Sequence, residues 1–383
     1  MSERFIRSGY TRLAYAMLAL YGYALNVLGP VTPFLRAELG LSYTVSGYHF
    51  SAFAAGIVGA GLFGGALLRA VGRRSALWAG AGGIACGAAL LALGHRPSLT
   101  IGGALLMGTV GSAILVVVAS SLSDEHGPLR VYALTEANVV ASLVSALTGV
   151  VVGALARTPL GWRAALAAAV IAPPALFLTS RAVSVPQPAR AAPARPRRRL
   201  RPLFWTYWCA LVMAVSVEFC LVFWAADFLE EAVGLRRDES AASVSIFLAG
   251  MLLGRLAASR IVRRVPPATL VEASLALAAA AFLAYWRAPS PGWALPALLA
   301  CGVGVASLYP MLLSLALAAA EDADLAAARA TLASGVAILC LPLLLARLAD
   351  AFGIRAAHGL VVAVLAAAWA LARAARRMAG DSG

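Results

Sequence analysis

The sequence predicts an all-α membrane protein with twelve transmembrane helices in two pseudo-symmetric, parallel six-helix bundles. Of the 383 residues, 62% are hydrophobic and 13% are charged, and the mean hydropathy is +0.85, which is far from the balance of a soluble domain. Apolar stretches of about 20 residues, the length of a helix that crosses a bilayer, follow one another with short interruptions. The two halves of the chain also repeat the same residues at matched spacings.

The apolar stretches are predicted to cross the membrane as helices. The alternating pattern of barrel strands is absent, and a lipid-exposed backbone can satisfy its own hydrogen bonds within helices. The predicted spans are 12–35, 46–70, 75–94, 98–122, 131–156, 161–180, 203–226, 240–262, 266–286, 293–319, 325–349 and 355–376.

The internal repeat relates two halves that enter the membrane in the same direction. Its offset is 194 positions for a longer motif and 192 for a shorter one, about half of the 383 residues, and such repeats define whole architectures. Six spans per half is an even number, so the halves are parallel repeats about an axis along the membrane normal. The matched residues are Phe34-Leu35, Gly40-Leu41, Phe53 and Ala55-Gly56 with Phe228-Leu229, Gly234-Leu235, Phe247 and Ala249-Gly250, and Gly161, Arg163 and Ala165 with Gly353, Arg355 and Ala357.

The chain is predicted to divide into three parts. Residues 1–180 form the N-terminal six-helix bundle, and residues 202–383 form the C-terminal one. Between them, residues 181–201 are rich in Arg, Pro and Ala, a composition that leaves nothing to build a core and is typical of a mobile connector. We expect a monomer whose two bundles are joined by this linker.

The distribution of charge predicts the orientation. All 31 basic residues are arginine, and with the N-terminus in the cytoplasm 22 of them lie on that side or in the adjoining helix ends, against 9 on the other. Such a bias sets topology, so both termini and the linker are expected in the cytoplasm. The absence of lysine beside heavy use of Ala and Arg indicates a GC-rich genome, and we expect a bacterial cell membrane.

Several classes of function are disfavoured by the residues that the chain lacks. A P-loop requires lysine, so an ATP-driven pump is excluded. The 4 histidines are scattered over separate elements, so neither an enzyme nor a metal or cofactor site is expected. The 5 cysteines lie inside apolar spans as packing residues. The net charge of +14 is an orientation signal, because no soluble domain is present to bind nucleic acid.

A glycine- and arginine-rich turn follows the second span. It reads Gly65-Ala-Leu67-Leu-Arg69-Ala-Val-Gly72-Arg73-Arg74 and resembles the turn Gly-x-Leu-x-Asp-Arg-x-Gly-Arg-Arg of the major facilitator superfamily. The glycines and the final arginine pair match, whereas Arg69 stands at the aspartate position. The resemblance covers nearly the whole chain and implies the twelve-helix, two-bundle fold of that family. A degenerate copy of the turn follows span eight.

The resemblance also implies a cytoplasmic gate built from charged turns. Basic turns follow spans two and eight, and acidic turns follow spans four and ten. In the superfamily these basic turns meet the opposite half, so we expect ion pairs across the halves that hold the gate shut. Positive-inside anchoring accounts for the arginines as well, but not for the acidic turns. The predicted gate residues are Arg69, Gly72, Arg73, Arg74, Arg260, Arg263, Arg264, Asp124, Glu125, Glu136 and Arg329.

Glu218 is the predicted proton-coupling residue. It lies beyond mid-depth in span seven, well inside the hydrocarbon, where ionisable groups are costly and usually face a cavity or a partner. A carboxyl group in a cavity can exchange a proton, which a proton-coupled carrier requires. The alternative is a structural Glu218 that stays protonated and hydrogen-bonded to a neighbouring helix. Asp227, nine residues further on, is expected on the opposite helix face near the outer mouth.

Four further side chains are predicted to bind substrate. In the superfamily, spans one, four, seven and ten line the central cavity. The 194-position repeat relates Glu218 to residue 24 in span one. Asn26, two residues further on, is therefore expected at a depth similar to that of Glu218. Tyr23, Trp224 and Tyr309 are the aromatic residues that could stack on a ligand.

These features predict a secondary active transporter that moves a small organic solute by alternating access, with protons as the coupling ion and lipid as its surroundings. One alternative is a drug or metabolite efflux antiporter of the same fold, and another is a transport-inactive sensor or scaffold. The drug-exporter signature Gly-Pro-x-x-Gly-Gly is absent from Ser145–Gly153. The stretch from Glu218 to Trp224 and the Gly29-Pro30 turn resemble the sugar-permease-like branch. A neutral or zwitterionic solute is expected rather than a polyanion.

Overall fold

The computed structural model describes residues 5–186, 200–262, 264–320 and 323–380. Every regular element in these ranges is helical, as the apolar composition predicts. The α-helices are α1 Gly9–Asn26, α2 Leu28–Leu39, α3 Tyr43–Val71, α4 Arg73–Leu93, α5 Pro97–Thr109, α6 Ala113–His126, α7 Arg130–Ala156, α8 Ala167–Ser180, α9 Pro202–Phe228, α10 Arg237–Ile261, α11 Pro267–Trp286, α12 Pro291–Val305, α13 Leu308–Ala318, α14 Ala323–Phe352, α15 Ile354–Ala357 and α16 Gly359–Gly380.

The described helices include 11 stretches long and apolar enough to cross a membrane, against the twelve predicted. The difference lies in Pro97–Ala156, a stretch of 60 residues. At about 1.5 Å per residue, 60 helical residues would extend roughly 90 Å, three times the thickness of the hydrocarbon core. The stretch instead breaks into α5, α6 and α7, with a 3₁₀ turn at Gly127–Leu129. It therefore has room for both the fourth and the fifth predicted spans.

Three of the predicted spans are interrupted near their middle. The first breaks at Val27, between α1 and α2, and Pro33 lies inside α2. A second break separates Thr109 from Ala113, and the third separates Val305 from Leu308. The second and third breaks fall at matching positions of the two halves. The seventh predicted span stays continuous and ends in a π-helical turn, Leu229–Val233, a form that is often found at functional sites.

Matching glycines take the same unusual backbone conformation in both halves. Gly161 has φ +69° and Gly353 has φ +80°, a region that side-chain-bearing residues avoid. The arginine two positions later caps a helix in each case, because Arg163 donates to the Gly94 carbonyl and Arg355 donates to the Trp286 carbonyl, both at 3.1 Å. These orphan carbonyls at helix ends need a donor. The sequence repeat therefore reflects a repeated local structure.

The repeat extends to the closest helix contacts. A Cβ atom on Gly56 would lie 2.0 Å from the Gly108 backbone, where α3 meets α5. The equivalent contact in the second half joins α10 and α12, where a Cβ on Gly302 would lie 2.2 Å from the Phe247 carbonyl oxygen and 3.0 Å from the Gly250 Cα. Small residues at such crossings let membrane helices approach closely. Gly56 and Gly250 of the repeat are therefore packing positions.

Substitution at this crossing should be far more costly than substitution at an open glycine. Gly250→Ala would place a Cβ 2.2 Å from the Leu299 carbonyl oxygen, so the helices must separate, and overpacking of this kind costs about 1–3 kcal/mol. Gly59→Ala is the matched control, since that helical position has nothing within 4 Å and alanine favours the helix. We expect a lower thermal unfolding temperature for Gly250→Ala alone. Equal unfolding temperatures for the two variants would contradict the close crossing.

The helices group into two compact units. The first comprises Met1–Leu28 and Ala52–Arg195, and the second comprises Gly29–Ser51 and Pro196–Gly383. Within the first unit, α1 packs against α7 and α4 against α5 and α8. Within the second, α9 packs against α10, α13, α14 and α16. The segment 29–51 belongs to the second unit, although the predicted halves place it in the N-terminal bundle.

Candidate transport site

The second unit contains a polar cluster around Glu218, which we call the Glu218 cluster. Glu218 lies on α9 and is partly exposed. Arg255 of α10 is close enough to interact with it electrostatically. Tyr309 of α13 also interacts with Glu218 and hydrogen bonds with the side chain of Ser334 on α14. Four helices thus contribute a partly exposed carboxyl group, an exposed guanidinium and two partly exposed hydroxyl groups to this cluster.

The chemistry of this cluster suits reversible binding. Ionisable groups within spans usually pair with one another or face water, and Glu218 has Arg255 as its nearby opposite charge. The guanidinium carries only donors, whereas the carboxyl group accepts or, when protonated, donates. The hydroxyl groups of Tyr309 and Ser334 do both. The cluster therefore combines hydrogen-bond donors and acceptors with one carboxyl group that is able to take up or release a proton.

The predicted residues of span one lie in the first unit and bond within it. The Tyr23 hydroxyl donates to the Ala165 carbonyl at 2.7 Å. The Asn26 amide donates to the Gly22 carbonyl at 2.8 Å and to the Ser145 hydroxyl at 3.2 Å. Asn26 remains partly exposed, whereas Tyr23 is buried. Of the two, Asn26 keeps a surface that a solute could contact.

Trp224 is a packing residue in this structure. Its side chain is fully buried, and its indole N–H donates to the Pro342 carbonyl at 3.0 Å. The ring packs edge-on against Phe50 and Tyr43, with centroids 5.2 and 5.7 Å away. Since a buried indole with a satisfied N–H has no free face, the prediction that Trp224 binds substrate finds no support in this geometry.

A second charged cluster joins the segment 29–51 to the end of α9. Arg36 of α2 donates to Asp227 Oδ1 through Nε at 3.0 Å and lies 2.9 Å from it through Nη2. The same guanidinium binds Glu231 of the π-helical turn, which also accepts from the Tyr43 hydroxyl. Arg36 lies over the Tyr43 ring at 4.2 Å. We call these four residues the Arg36 cluster.

The Arg36 cluster is largely withdrawn from solvent. The Asp227 side chain is 0% exposed and that of Arg36 is 19% exposed. Asp227 Oδ2 has no hydrogen-bond partner among the described residues. A buried ion pair is strongly destabilised when one partner is removed, because the other is left as an uncompensated charge. Removal of either Arg36 or Asp227 should therefore leave the charge of the other without compensation.

Several further contacts hold the same segment in place. Asp350 of α14 accepts from the backbone N–H groups of Tyr43 and Thr44, at 2.7 and 2.8 Å, and so caps the start of α3. The Phe50 and Phe223 rings stack with centroids 4.0 Å apart and planes 7° from parallel. Satisfied helix N-termini and stacked aromatic rings each add stability. The cluster thus belongs to a continuous contact along α9 and α14.

Arg73 pairs with an acid of its own unit, which contradicts the expected ion pair across the halves. Arg73 pairs with Asp124 at 2.7 Å, and both residues belong to the first unit. The reason is that α4 packs against α6, so the turn before α4 lies beside the end of α6. Gly72 begins α4 with φ +79°. Arg73 is buried rather than a mobile surface charge.

The arginine pair also holds the beginning of the linker. Arg73 donates to the Pro186 carbonyl at 3.0 Å, and Arg74 donates to the Val183 carbonyl at 3.2 Å and to the Arg181 carbonyl. The described part of the linker, up to Pro186, is therefore attached to the first unit. This is a role for the arginine pair that the sequence reasoning did not include.

Two predicted acidic gate residues bond to the N-terminal segment of their own unit. Glu136 accepts from Arg7 Nε at 2.8 Å and from the Tyr15 hydroxyl at 2.9 Å. Glu125 accepts from the Ser8 and Thr11 hydroxyls, at 2.5 and 3.3 Å. The hydrogen bond to Glu136 raises the pKa of the exposed Arg7 guanidinium. These acids secure the start of α1.

The other predicted gate residues are exposed or lie outside the described residues. The side chains of Arg69, Arg260, Arg264 and Arg329 are exposed, and the Arg329 carbonyl accepts from the Trp208 indole at 2.8 Å. Arg263 and the acidic residues 321–322 lie outside the described residues. A gate formed by these groups remains a prediction.

Neutralising Arg73 should loosen the linker. Arg73→Gln removes the ion pair to Asp124 and the bond to Pro186, so residues 181–186 lose a main attachment. Arg69→Gln is the matched control, because Arg69 is an exposed arginine of the same turn. We expect faster limited proteolysis within the linker for Arg73→Gln than for the control. If the two variants are cleaved at the same rate, the arginine pair is an orientation signal only.

Five members of the two clusters received no site role from the sequence: Arg255 and Ser334 of the Glu218 cluster, and Arg36, Tyr43 and Glu231 of the Arg36 cluster. Arg255 was placed in a degenerate turn, although it precedes the end of α10 by 6 residues. Arg36 and Glu231 lie just beyond the ends of the first and seventh predicted spans and were given no role. The signal that could have found two of them is the repeat, because Arg36 directly follows Phe34-Leu35 of one motif copy and Glu230-Glu231 directly follow Phe228-Leu229 of the other.

A helical membrane bundle that holds ionisable side chains inside its spans and is built from parallel repeats is the construction of a membrane transporter. The sequence profile of the Major Facilitator Superfamily matches residues 14–326, and the chain belongs to that family of transporters. A comparison with curated proteins finds no match. Among the described residues, no group of three His, Cys, Asp or Glu side chains could hold a metal ion.

Solved transporters share the fold at low sequence identity. A bacterial homologue of the human lysosomal transporter Spinster, inward-facing and unoccupied, is 16% identical with a TM-score of 0.72, covering 96% of both chains. A D-xylose–proton symporter is 15% identical with a TM-score of 0.72, covering 94% of this chain and 97% of its own. A POT family transporter in complex with a thioalcohol-conjugated peptide is 12% identical with a TM-score of 0.79, covering 97% and 96%.

Proposed function

We propose that this membrane transporter is a secondary active carrier that moves a small organic solute by alternating access, driven by protons. The observation that carries the proposal is Glu218, a carboxyl group in the middle of a span with Arg255 and Tyr309 as its electrostatic neighbours. A charge inside the hydrocarbon is costly and marks a transport pathway by default. The protein resembles a sugar–proton symporter in fold, which makes a proton the favoured coupling ion.

The composition of the Glu218 cluster supports a neutral or zwitterionic solute. One carboxyl group and one guanidinium offer opposite charges, and Tyr309 and Ser334 offer hydroxyl groups. A solute with both hydrogen-bond donors and acceptors can pair with all of these groups. A polyanion, in contrast, would be repelled by the Glu218 carboxylate. Asn26 of the first unit is the further polar residue that we assign to solute binding.

The Arg36 cluster supports alternating access. Its ion pairs attach the segment 29–51 of the first and second spans to α9. Transporters of this architecture work by moving one bundle against the other around the binding site. We infer that the cluster forms when one side of the pathway is closed and separates when that side opens. By the charge bias, we assign this end to the outside of the cell, with both chain termini in the cytoplasm.

Transport by purified protein in liposomes tests this function. The vesicles carry an imposed pH gradient, and radiolabelled sugars, amino acids and short peptides are offered one at a time. A coupled carrier accumulates its solute with the gradient and loses the accumulation when a protonophore is added. Exchange without accumulation would identify an uncoupled carrier. Failure of every solute class in both assays, by protein that remains folded, would favour the transport-inactive sensor or scaffold.

A further inference from the structure

An apolar groove runs between α11 and α16 in the second unit. It has a volume of about 400 Å³ and is lined by Ala, Val, Leu, Phe and Trp side chains. Ala279 of α11 and Ala366 and Ala370 of α16 lie in its walls. Because these methyl groups are too short to reach the facing helix, the two helices leave space between them although they are packed together.

The lining determines what the groove can accept. Its volume falls within the range of about 300–1,000 Å³ that is usual for small-molecule sites. No lining residue carries a charge, and the indole of Trp369 is the one side chain among them with a hydrogen-bonding group. A sugar or an amino acid would lose its hydrogen bonds to water without replacement. Hydrocarbon is therefore the chemistry that fits.

The groove continues into a basic helix face. Residues 366, 370, 373 and 377 are spaced by four, three and four positions, which places them on one side of α16. Arg373 lies one turn beyond the groove, with its guanidinium 6.0 Å from the centre of the Trp369 ring. Arg377 follows one turn later and is exposed. Two cations thus lie at one end of an apolar channel.

A third arginine is already engaged by protein. Arg376 binds Glu272 of α11 at 3.0 Å, and this ion pair joins the two helices beyond the same end of the groove. Glu272 therefore meets Arg376, and Arg373 and Arg377 are the arginines that an external anion can approach. The distance along the helix from Ala366 to Arg377 is about 16 Å, since each residue adds about 1.5 Å.

We propose that this groove is a binding site for one anionic phospholipid, whose acyl chain lies between α11 and α16 and whose phosphate binds Arg373 and Arg377. Basic pockets between transmembrane helices bind anionic headgroups, and a guanidinium pairs well with phosphate. Positive-inside anchoring would account for the arginines. It would not account for an open apolar groove that ends at them.

Titration of the detergent-purified protein with single lipids tests the site. Phosphatidylglycerol and phosphatidylcholine with the same acyl chains are added separately, and bound lipid is counted by native mass spectrometry. We expect one phosphatidylglycerol per chain, retained at least about tenfold more strongly than phosphatidylcholine, which corresponds to about 1.4 kcal/mol. Thermal unfolding in the presence of each lipid gives an independent measure of the same preference.

Three variants separate the two parts of the site. Arg373→Gln with Arg377→Gln should abolish the preference for the anionic lipid. Ala366→Phe fills the groove from an exposed position and should weaken the binding of both lipids. Arg260→Gln is the charge-matched control, because Arg260 is an exposed arginine at the end of α10, and it should bind as the unaltered protein does. Circular dichroism confirms that each variant is folded.

Several outcomes would overturn the proposal. A preference that survives the double arginine substitution would mean that the headgroup binds elsewhere. Unchanged binding by Ala366→Phe would exclude the groove as the chain site. Equal stabilisation by inorganic phosphate would reveal an anion site without a lipid. A dimer that forms without bound lipid, and that Ala366→Phe disrupts, would show that a second copy of the chain covers the groove.

Discussion

Glu218→Gln is expected to abolish solute accumulation driven by a pH gradient while leaving exchange of solute across the membrane largely intact. Glutamine keeps the shape and hydrogen-bonding capacity of a protonated glutamate, but it has no proton to release. The contacts with Tyr309 and Arg255 can therefore persist in part, and the fold should be retained. A carrier fixed in the protonated form can still exchange solute but cannot use the gradient.

Two assays on the same reconstituted variant separate these effects. Counterflow measures exchange, and uptake under an imposed pH gradient measures coupling. Glu239→Gln is the matched control, because Glu239 is an exposed glutamate in the first turn of α10 and should retain both activities. Full gradient-driven accumulation by Glu218→Gln would show that Glu218 is a neutral structural residue and would remove the basis for proton coupling at this site.

Arg36→Gln is expected to destabilise the second unit by about 3–5 kcal/mol, the cost of leaving a buried charge without its partner. The carboxylate left behind is Asp227, whose side chain is 0% exposed. Asp227→Asn should cost less, because Arg36 keeps Glu231 as a partner. The double variant Arg36→Gln/Asp227→Asn should recover most of the loss, since neither charge then remains unpaired. Thermal unfolding of the four proteins completes the cycle.

An exposed pair in the same unit provides the control. Arg236 binds Asp238 at 3.2 Å with an arginine side chain that is 74% exposed, and such pairs contribute about 1 kcal/mol or less. Arg236→Gln should therefore leave the unfolding temperature nearly unchanged. An Arg36→Gln variant as stable as Arg236→Gln would contradict a buried ion pair, and so would a double variant as unstable as Arg36→Gln alone.

The same variants test the assignment of the Arg36 cluster to a moving gate. Val31 of α2 is 1% exposed, so a cysteine at this position should react slowly with a thiol reagent while the segment 29–51 stays packed. Breaking the ion pair favours separation of the segment, and labelling should become faster in Arg36→Gln. The native cysteines are replaced beforehand. Unchanged labelling in a destabilised variant would mean that the cluster is structural and does not open.

The fold class followed from composition and periodicity because the bilayer leaves few alternatives. Long apolar stretches in lipid must be helical, and matched motifs 194 positions apart predicted the parallel repeat. The structure takes the repeat further than the order of residues can, to positive φ values at both Gly161 and Gly353 and to a glycine at the equivalent helix crossing of each half. The count of separate spans differs because the charged turn after the fourth predicted span stays helical, with the end of α6, a 3₁₀ turn at Gly127–Leu129 and the start of α7 following one another directly.

The sequence points to some candidate site residues but not to the contacts that they make, for a physical reason. Glu218 is conspicuous because a carboxyl group is rare in an apolar run, and its neighbours on α10, α13 and α14 are distant in sequence. The sequence does not show whether Trp224 faces a cavity or packs against Phe50, because both arrangements have the same residue in the same apolar run. The sequence offers Arg73 acidic residues in both halves, and only the packing of α4 on α6 selects Asp124.

The sequence by itself determined that the chain is an integral membrane protein of the major facilitator superfamily. Hydropathy, charge bias and the repeated motifs can all be read from the order of the residues, without knowledge of their contacts. Only the tertiary structure decided which charges meet. Arg36 and Asp227 are 191 positions apart, and Arg376 and Glu272 are 104 apart. Such pairs form because apolar burial brings whole helices together, and burial, rather than sequence spacing, decides which carboxylate each arginine can reach.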